Sequence, residues 1–288
     1  MALSNPHKGD AFAKAVLAGA KTVCLLGMGG IGMYSVGRQF LERGYFVVGA
    51  DRVPNALTQD LAQRGAVFFA LESPPIAAMA ACDAFVYTAA LAADHPAILY
   101  AQSRGKPLLS RADALAFLMM DARPRVAICG AHGKSTTTAM CAHMLREGGM
   151  DCAMVCGAET ENDGTCYKSG KGAVVFEACE YMYSFWSFTP EIAVLTNLDH
   201  DHADCYPTMD SLKAAFYRFL SQSQTAVLCA DDAHSRDMKG AAKQSYFYSL
   251  SDPKADAYLD VYNRFYWQGE YYTDLPLSLP GECNRANA

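Results

Sequence analysis

The stretch Arg125-Val-Ala-Ile-Cys-Gly-Ala-His-Gly-Lys-Ser-Thr-Thr137 places a glycine-bounded turn between a short apolar strand and a predicted helix. Backbone N–H groups in such a turn can surround phosphate oxygens, and a lysine can neutralise the β- and γ-phosphates. The strict P-loop spacing is not met, because Ile128 stands six positions before Lys134. The stretch still predicts an ATP site with a hydroxyl for Mg²⁺. Its candidate residues are Gly130, His132, Gly133, Lys134, Ser135 and Thr136.

A second glycine turn, Gly27-Met-Gly-Gly-Ile-Gly32, follows the apolar run Thr22–Leu26 and precedes another predicted helix. Glycines let the backbone approach a pyrophosphate, and an acidic residue after the next strand, here Asp51, can meet a ribose hydroxyl. The pattern supports a dinucleotide and a nucleotide-sugar about equally. The alternative is a turn that serves only tight strand–helix packing. The candidate residues are Gly27, Gly29, Gly30, Ile31, Gly32 and Asp51.

Short apolar runs alternate with helix-length segments in both halves of the chain, which predicts βαβ units and parallel sheets. The pattern pauses at Asp121-Ala-Arg-Pro124. We therefore expect an α/β protein in which a Rossmann-like domain, residues 1–121, precedes a P-loop-type domain, residues 122–288. The Tyr-rich segment 257–272 lacks helical periodicity and is expected to be antiparallel β. The aromatic run 181–188 is either packed on the core or a ring-binding platform.

Composition excludes several classes of protein. The chain has 288 residues, a net charge of −6 and 51% hydrophobic residues, so it is expected to be folded rather than disordered. The sequence has no basic stripe of the kind that binds nucleic acids. Its richest apolar stretch is too short to span a bilayer. Eleven cysteines without a CxxC pair predict reduced thiols. Residues 1–10 show no secretory signal, so a cytoplasmic protein is expected.

Acidic and histidine residues follow two further predicted strands, as Glu177-Ala-Cys-Glu180 and Thr196-Asn-Leu-Asp-His-Asp-His202. Functional groups of open α/β sheets gather at the carboxyl ends of strands, so these segments are expected to lie near Ser135. Mg²⁺ favours carboxylates, hydroxyls and phosphate oxygens, which fits Glu177 directly and His202 less well. A zinc site is the alternative, although spacing specifies no third ligand.

A chain with both turns is expected to bring a nucleotide-bearing substrate to ATP. An NAD-dependent oxidoreductase would use the first turn but leave Gly133-Lys-Ser135 unexplained. A non-catalytic nucleotide-binding module, acting as a sensor or scaffold, is the other alternative.

The chain resembles the Mur ligase family from about Lys21 to its last residue. Five ordered motifs carry the resemblance. They are Gly-Met-Gly-Gly-Ile-Gly-Met at 27–33, Gly-Ala-His-Gly-Lys-Ser-Thr-Thr-Thr at 130–138, Glu-Ala-Cys-Glu at 177–180, Thr-Asn-Leu-Asp-His-Asp-His at 196–202, and Pro-Gly-Glu-Cys-Asn-Arg-Ala-Asn-Ala at 280–288.

The resemblance implies an ATP- and Mg²⁺-dependent ligase of peptidoglycan synthesis, with UDP-N-acetylmuramate and L-alanine as substrates and an acyl phosphate as intermediate. A close variant attaches a whole peptide to the same sugar acid during recycling. By position, the family implies catalytic roles for Lys134, Glu177 and His202, the metal on Ser135, Glu177 and His202, and ATP near Asn197 and Asn284. It places the UDP-sugar near residues 27–32, Asp51, Thr88, Ala89, Ala90 and Arg111.

The chain departs from the family pattern in three places and at its end. Cys179 stands where many members have Asp, Tyr181-Met-Tyr183 replaces a polar-acidic stretch, and Cys283 stands where a His is frequent near the adenine. Family members continue with an amino-acid-binding domain, whereas this sequence stops at Ala288. We therefore expect a shortened chain that binds nucleotides weakly or partially and does not complete ligation.

Overall fold

The computed structural model describes residues 8–70, 76–160, 164–277 and 280–288. Most of the stretch considered for a secretory signal, residues 1–7, lies outside this range. The chain divides into two compact units, Met1–Asp121 and Ala122–Ala288. Each unit is α/β, which confirms the predicted fold class.

The first unit is a five-stranded parallel sheet of order β3-β2-β1-β4-β5 with helices between the strands. β1 and β4 lie at its centre and are buried almost throughout, as their unbroken apolar runs require. Its elements are α1 Gly9–Leu17, β1 Thr22–Leu26, α2 Ile31–Glu42, β2 Phe46–Asp51, α3 Ala56–Gln63, β3 Val67–Ala70, α4 Ile76–Ala80, β4 Ala84–Tyr87, α5 Pro96–Ser103, β5 Leu108–Ser110 and α6 Arg111–Leu118.

The second unit is built on a ten-stranded sheet of order β15-β14-β13-β12-β11-β10-β6-β9-β7-β8. Its elements are β6 Arg125–Cys129, α7 Lys134–Glu147, β7 Cys152–Val155, β8 Tyr167–Lys168, β9 Ala173–Glu177, a 3₁₀ helix Tyr181–Ser187, β10 Ile192–Leu195, α8 Met209–Leu220, β11 Thr225–Cys229, α9 Ala233–Arg236, β12 Gln244–Ser249, β13 Ala257–Leu259, β14 Arg264–Trp267, β15 Glu270–Asp274 and α10 Glu282–Asn287.

The centre of this sheet is parallel, and β9, β6 and β10 are neighbours. Their carboxyl ends lead into three segments, which begin at Ala178, Gly130 and Thr196, so the topology gathers these segments at one edge. The Tyr-rich segment is antiparallel between β13, β14 and β15, as expected from the sequence.

Polar side chains cap the N-termini of several helices. The Asn55 side chain accepts from Thr58 N, and the Thr58 hydroxyl accepts from Asn55 N, which makes a capping box for α3. Thr208 and Ser211 make the same arrangement for α8. In the ranges described, no helix is both long and apolar enough to cross a membrane.

An ion pair at the amino end of β10 gives the second unit a testable pH dependence. Glu191 accepts bonds from Arg125 N at 2.7 Å and Arg125 Nη2 at 2.8 Å. Burial alone would raise the pKa of Glu191, but the hydrogen bonds and charge of Arg125 outweigh it and hold that pKa below its ordinary value of 4.5. The carboxylate therefore stabilises the fold above its unfolded pKa, and this contribution disappears as pH falls through the lower folded value.

We expect Glu191→Gln to cost about 1 kcal/mol at neutral pH and to cost little at a pH below the lowered folded pKa, where the wild-type carboxyl is protonated. Both tryptophans, Trp186 and Trp267, belong to the second unit, so tryptophan fluorescence during urea unfolding reports on this unit. A deficit of equal size at both pH values would contradict the assignment.

Candidate functional site

The phosphate-loop candidate in the second unit forms a helix start with open amides. Gly133 is the N-cap of α7 and has φ +82°, a conformation that favours glycine. The first i→i−4 bond of the helix runs from Thr137 N to Gly133 O. The N–H groups of residues 133–136 precede that bond, so helix geometry leaves them without intrahelical acceptors. They can bind an anion, which the helix dipole also favours.

The segment after β10 holds the loop in shape. Asn197 Oδ1 accepts from His132 N at 2.9 Å, and Asn197 Nδ2 donates to His132 O at 3.0 Å. The Thr196 hydroxyl donates to the same carbonyl at 2.7 Å. The Asn197 side chain, expected near ATP, is therefore used by the backbone of the loop itself. His132 also lies 3.5 Å from Asp199 Oδ2, in an exposed position.

The ammonium of Lys134 is fully engaged by the protein. It donates to Gly130 O at 2.6 Å and Ala131 O at 3.1 Å, and it lies 3.1 Å from Glu180 Oε1. The pair with Glu180 is largely buried, with side chains 13% and 3% exposed. The lysine is thus held at the loop where the phosphates of a nucleotide are expected.

Ser135 and Glu177, predicted as metal ligands, lie next to each other. The Ser135 hydroxyl donates to Glu177 Oε2 at 2.7 Å, and Gly157 N donates to the same oxygen at 2.9 Å. A hydroxyl and one carboxylate, completed by phosphate oxygens and waters, is the donor set that Mg²⁺ takes in nucleotide sites, so the residues fit this ion. Burial raises the pKa of the neighbouring Cys156 thiol, which remains neutral.

His202 lies against Glu180 rather than against Glu177. Its Nε2 is 3.6 Å from Glu180 Oε1, and its backbone has φ +54°. His200 turns to a different partner, the carbonyl of Tyr206 at 2.9 Å. The described part of the chain contains no group of three or more His, Cys, Asp or Glu side chains arranged to hold a metal, which gives the zinc interpretation no support.

The segment 280–288 brings a different asparagine to the loop from the one expected. The Asn284 side chain donates to Pro280 O at 2.8 Å. Asn287 lies beside the loop, because a Cβ added to Gly133 would be 2.3 Å from Asn287 Oδ1. Asn287 is therefore a candidate that the sequence analysis missed, although the Asn-Arg-Ala-Asn287 spacing was a signal for it.

The first four amides of the glycine turn in the first unit donate hydrogen bonds within the protein. Gly27 N and Met28 N donate to Ala50 O, and Gly30 N donates to Gly27 O. Gly29 N donates to Asp51 Oδ2 at 2.6 Å. Asp51, expected to meet a ribose, therefore supports the turn through one carboxylate oxygen.

Side chains also lie close to three glycines of this turn. A Cβ at Gly27 would lie 2.6 Å from Thr88 Cγ2, and one at Gly32 would lie 2.5 Å from Arg111 Nη1. At Gly29 it would lie 2.9 Å from Asp51 Oδ2. The turn thus brings Arg111 and Thr88 together with its backbone. Ala89 and Ala90 follow Thr88 and are exposed beside it.

All eleven cysteines are free thiols in the structure. Cys129 ends β6 directly before the loop, and burial raises its pKa well above the ordinary value. It packs as an apolar side chain.

Comparison with known proteins accounts for both units. The family described as "Mur ligase middle domain" matches residues 128–288, and "Mur ligase family, catalytic domain" matches residues 22–123. A UDP-N-acetylmuramate–L-alanine ligase of Pelotomaculum thermopropionicum is 35% identical over 92% of this chain and 60% of its own length. The enzyme of the same name from Thiobacillus denitrificans is 40% identical over 76% of this chain and 48% of its own.

Solved structures share the fold. UDP-N-acetylmuramate-alanine ligase MurC of Thermotoga maritima matches with a TM-score of 0.76 at 23% identity, over 92% of this chain and 62% of that one. A UDP-N-acetylmuramate:L-alanyl-gamma-D-glutamyl-meso-diaminopimelate ligase from Neisseria meningitides matches with a TM-score of 0.82 at 20% identity, over 93% of this chain and 90% of that one.

The chain spans between 48% and 60% of the length of the two curated relatives described above. The middle-domain match alone covers more than half of the chain, and the relative from Pelotomaculum thermopropionicum exceeds 30% identity over nearly all of it. This chain belongs to the Mur ligase family.

Proposed function

We propose that this chain carries the nucleotide-binding units of an ATP-dependent ligase that joins L-alanine to UDP-N-acetylmuramate. The observation that carries the proposal is the start of α7, where open amides, the Lys134 ammonium and the Ser135–Glu177 pair lie together. Such a cluster suits the β- and γ-phosphates of a nucleoside triphosphate. Curated relatives named UDP-N-acetylmuramate–L-alanine ligase match most of the chain and support this choice of substrates.

In the proposed reaction, the muramate carboxylate oxygen attacks the γ-phosphorus of ATP and ADP leaves, which gives an acyl phosphate. The alanine amine then attacks the acyl carbon, loses a proton, and expels inorganic phosphate as the amide forms. Both steps bring negative groups together, so their rates depend on fixed positive charge at the phosphates. Lys134 and the amides of residues 133–136 would supply it.

Ser135 and Glu177 would hold Mg²⁺, which when bound offsets the charge of the phosphates. His202 is proposed to act at the same site through Glu180, because that carboxylate is its close acidic neighbour together with Asp201.

The UDP-sugar is proposed to bind the first unit at the turn 27–32. Arg111 lies directly against Gly32, which places a guanidinium where a diphosphate can be bound bidentately. The amides of residues 27–30 donate hydrogen bonds within the protein, and the guanidinium of Arg111 is the proposed source of positive charge for the diphosphate.

Calorimetry of UDP-N-acetylmuramate and of Mg-ATP tests the proposal on wild type, Gly29→Val and Lys134→Ala. Gly29→Val should abolish binding of the UDP-sugar only, because its side chain would collide with Asp51 and Asn55. Lys134→Ala should weaken Mg-ATP binding alone by about 30- to 100-fold, the loss expected for one charge-assisted contact.

Two results would reject the proposal in favour of the other function classes. NADH binding in a fluorescence titration, without UDP-sugar binding, would favour an oxidoreductase. Binding of both nucleotides, with no ADP formation by a longer protein that contains this chain, would favour a non-catalytic module.

A further inference from the structure

A buried carboxylate, Glu180, lies between the Lys134 ammonium and the His202 imidazole at the phosphate site. Its Oε1 is 3.1 Å from Lys134 Nζ and 3.6 Å from His202 Nε2. The side chain is 3% exposed, and Oε2 has no hydrogen-bond partner among the residues that the structure describes. An unpartnered oxygen on a buried carboxylate is costly, so something other than folding accounts for its presence.

The backbone around Glu180 is tightly fixed. Its carbonyl accepts from the buried hydroxyl of Tyr206 at 2.6 Å and from Tyr183 N at 2.8 Å. Met182 and Tyr183 then take left-handed conformations, with φ +52° and +57°. Such backbone is unfavourable for these residues and persists where the surroundings impose it. The chain therefore turns sharply straight after Glu180 and keeps this carboxylate in the site.

The contacts of Lys134 show what Glu180 does to the site. An ammonium has three donors, and those of Lys134 are directed to Gly130 O, Ala131 O and Glu180 Oε1. A phosphate that binds Lys134 must replace at least one of them. It must also approach the negative charge of Glu180, which opposes an anion that arrives without a cation of its own.

We propose that Glu180 is a positioning residue that holds Lys134 in the loop and makes the site select cation-bound over metal-free nucleotide. The inference rests on the proposed function, since it assumes that phosphates bind at Lys134. Glu177 carries the candidate metal contact, whereas Glu180 keeps bare polyphosphate out.

The first test is calorimetry of ADP with excess Mg²⁺ and of ADP in EDTA. Glu180→Gln should bind metal-free ADP about 10-fold more tightly, while Mg-ADP affinity changes less than about 3-fold. Glu180→Asp keeps the charge and should keep the wild-type preference within about 3-fold. Glu191→Gln is the matched control, because it breaks an ion pair at the amino end of β10, away from the carboxyl ends of the strands where the phosphate site lies. It should change neither affinity. An unchanged preference in Glu180→Gln would overturn the inference.

The second test needs no ligand and separates this inference from the proposed function. We expect Lys134→Met to lower the urea midpoint, measured by tryptophan fluorescence, more than the double variant Lys134→Met/Glu180→Gln, because the single variant leaves a buried carboxylate unpaired. Additive effects would overturn the inference. Wild-type protein that binds neither form of ADP would contradict the proposed function, while the unfolding result would still decide whether Glu180 holds Lys134.

Discussion

Gly130→Ala is expected to destabilise the second unit by about 3–5 kcal/mol, which sums backbone strain and overpacking. Gly130 has φ +133°, a backbone conformation that residues other than glycine rarely adopt. An added Cβ would lie 2.2 Å from Thr196 Oγ1 and 2.8 Å from Asn197 O. Asn197 O is a backbone atom that also accepts a hydrogen bond from Ala131 N, so it cannot move away without breaking this bond of the loop.

Urea unfolding followed by tryptophan fluorescence measures this loss, and Gly149→Ala provides the matched control. Gly149 follows the other end of α7 with φ +85°, and an added Cβ there would meet no atom within 4 Å. It should cost about 1–2 kcal/mol, from strain alone. Equal losses in the two variants would show that the contact with the segment after β10 does not constrain the loop.

The gathering of the candidate segments at one sheet edge could be predicted because local patterns mark the carboxyl ends of strands. Glycines after β6, acidic residues after β9 and the Thr196–His202 segment after β10 each follow an apolar run. Parallel strands bring these ends to one edge of a sheet, whatever the detailed packing. Membership of the Mur ligase family was likewise predicted from the motifs and is confirmed.

The pairing of side chains within that edge could not be predicted in the same way. Motif spacing does not reveal that His202 contacts Glu180, that Asn197 braces the loop, or that Asn287 reaches Gly133. These contacts depend on long-range packing and on left-handed backbone at His202, for which the sequence has no glycine as a signal. The roles predicted for individual site residues stay predictions that the binding experiments above can test.

The same limit applies to the glycine turn of the first unit. Its sequence pattern predicts backbone contacts to phosphate, whereas the structure directs four successive amides to the protein and fills the space beside Gly29 and Gly32 with Asp51, Asn55 and Arg111. A glycine pattern shows which positions need glycine, but the reason can be either close packing or a bound ligand. Here packing explains much of the pattern, and the arginine adds the charge.

Phe185→Ala is the second large effect that we expect, with a loss of about 3–5 kcal/mol in the second unit. Phe185 is fully buried, and its ring lies 4.7 Å from Phe219 and 5.1 Å from Phe216, centroid to centroid. Truncation would remove these aromatic contacts and leave a cavity that rigid neighbours fill only in part.

Tyr181→Ala is the matched control, because Tyr181 lies on the same 3₁₀ helix but is 37% exposed. It should cost less than about 1 kcal/mol. Urea unfolding should be followed by circular dichroism here, since Trp186 neighbours Phe185 and its fluorescence would change for local reasons. A loss in Phe185→Ala as small as that in the control would mean that the core relaxes around the site. The expected large loss would show that the core anchors the segment that follows Glu180.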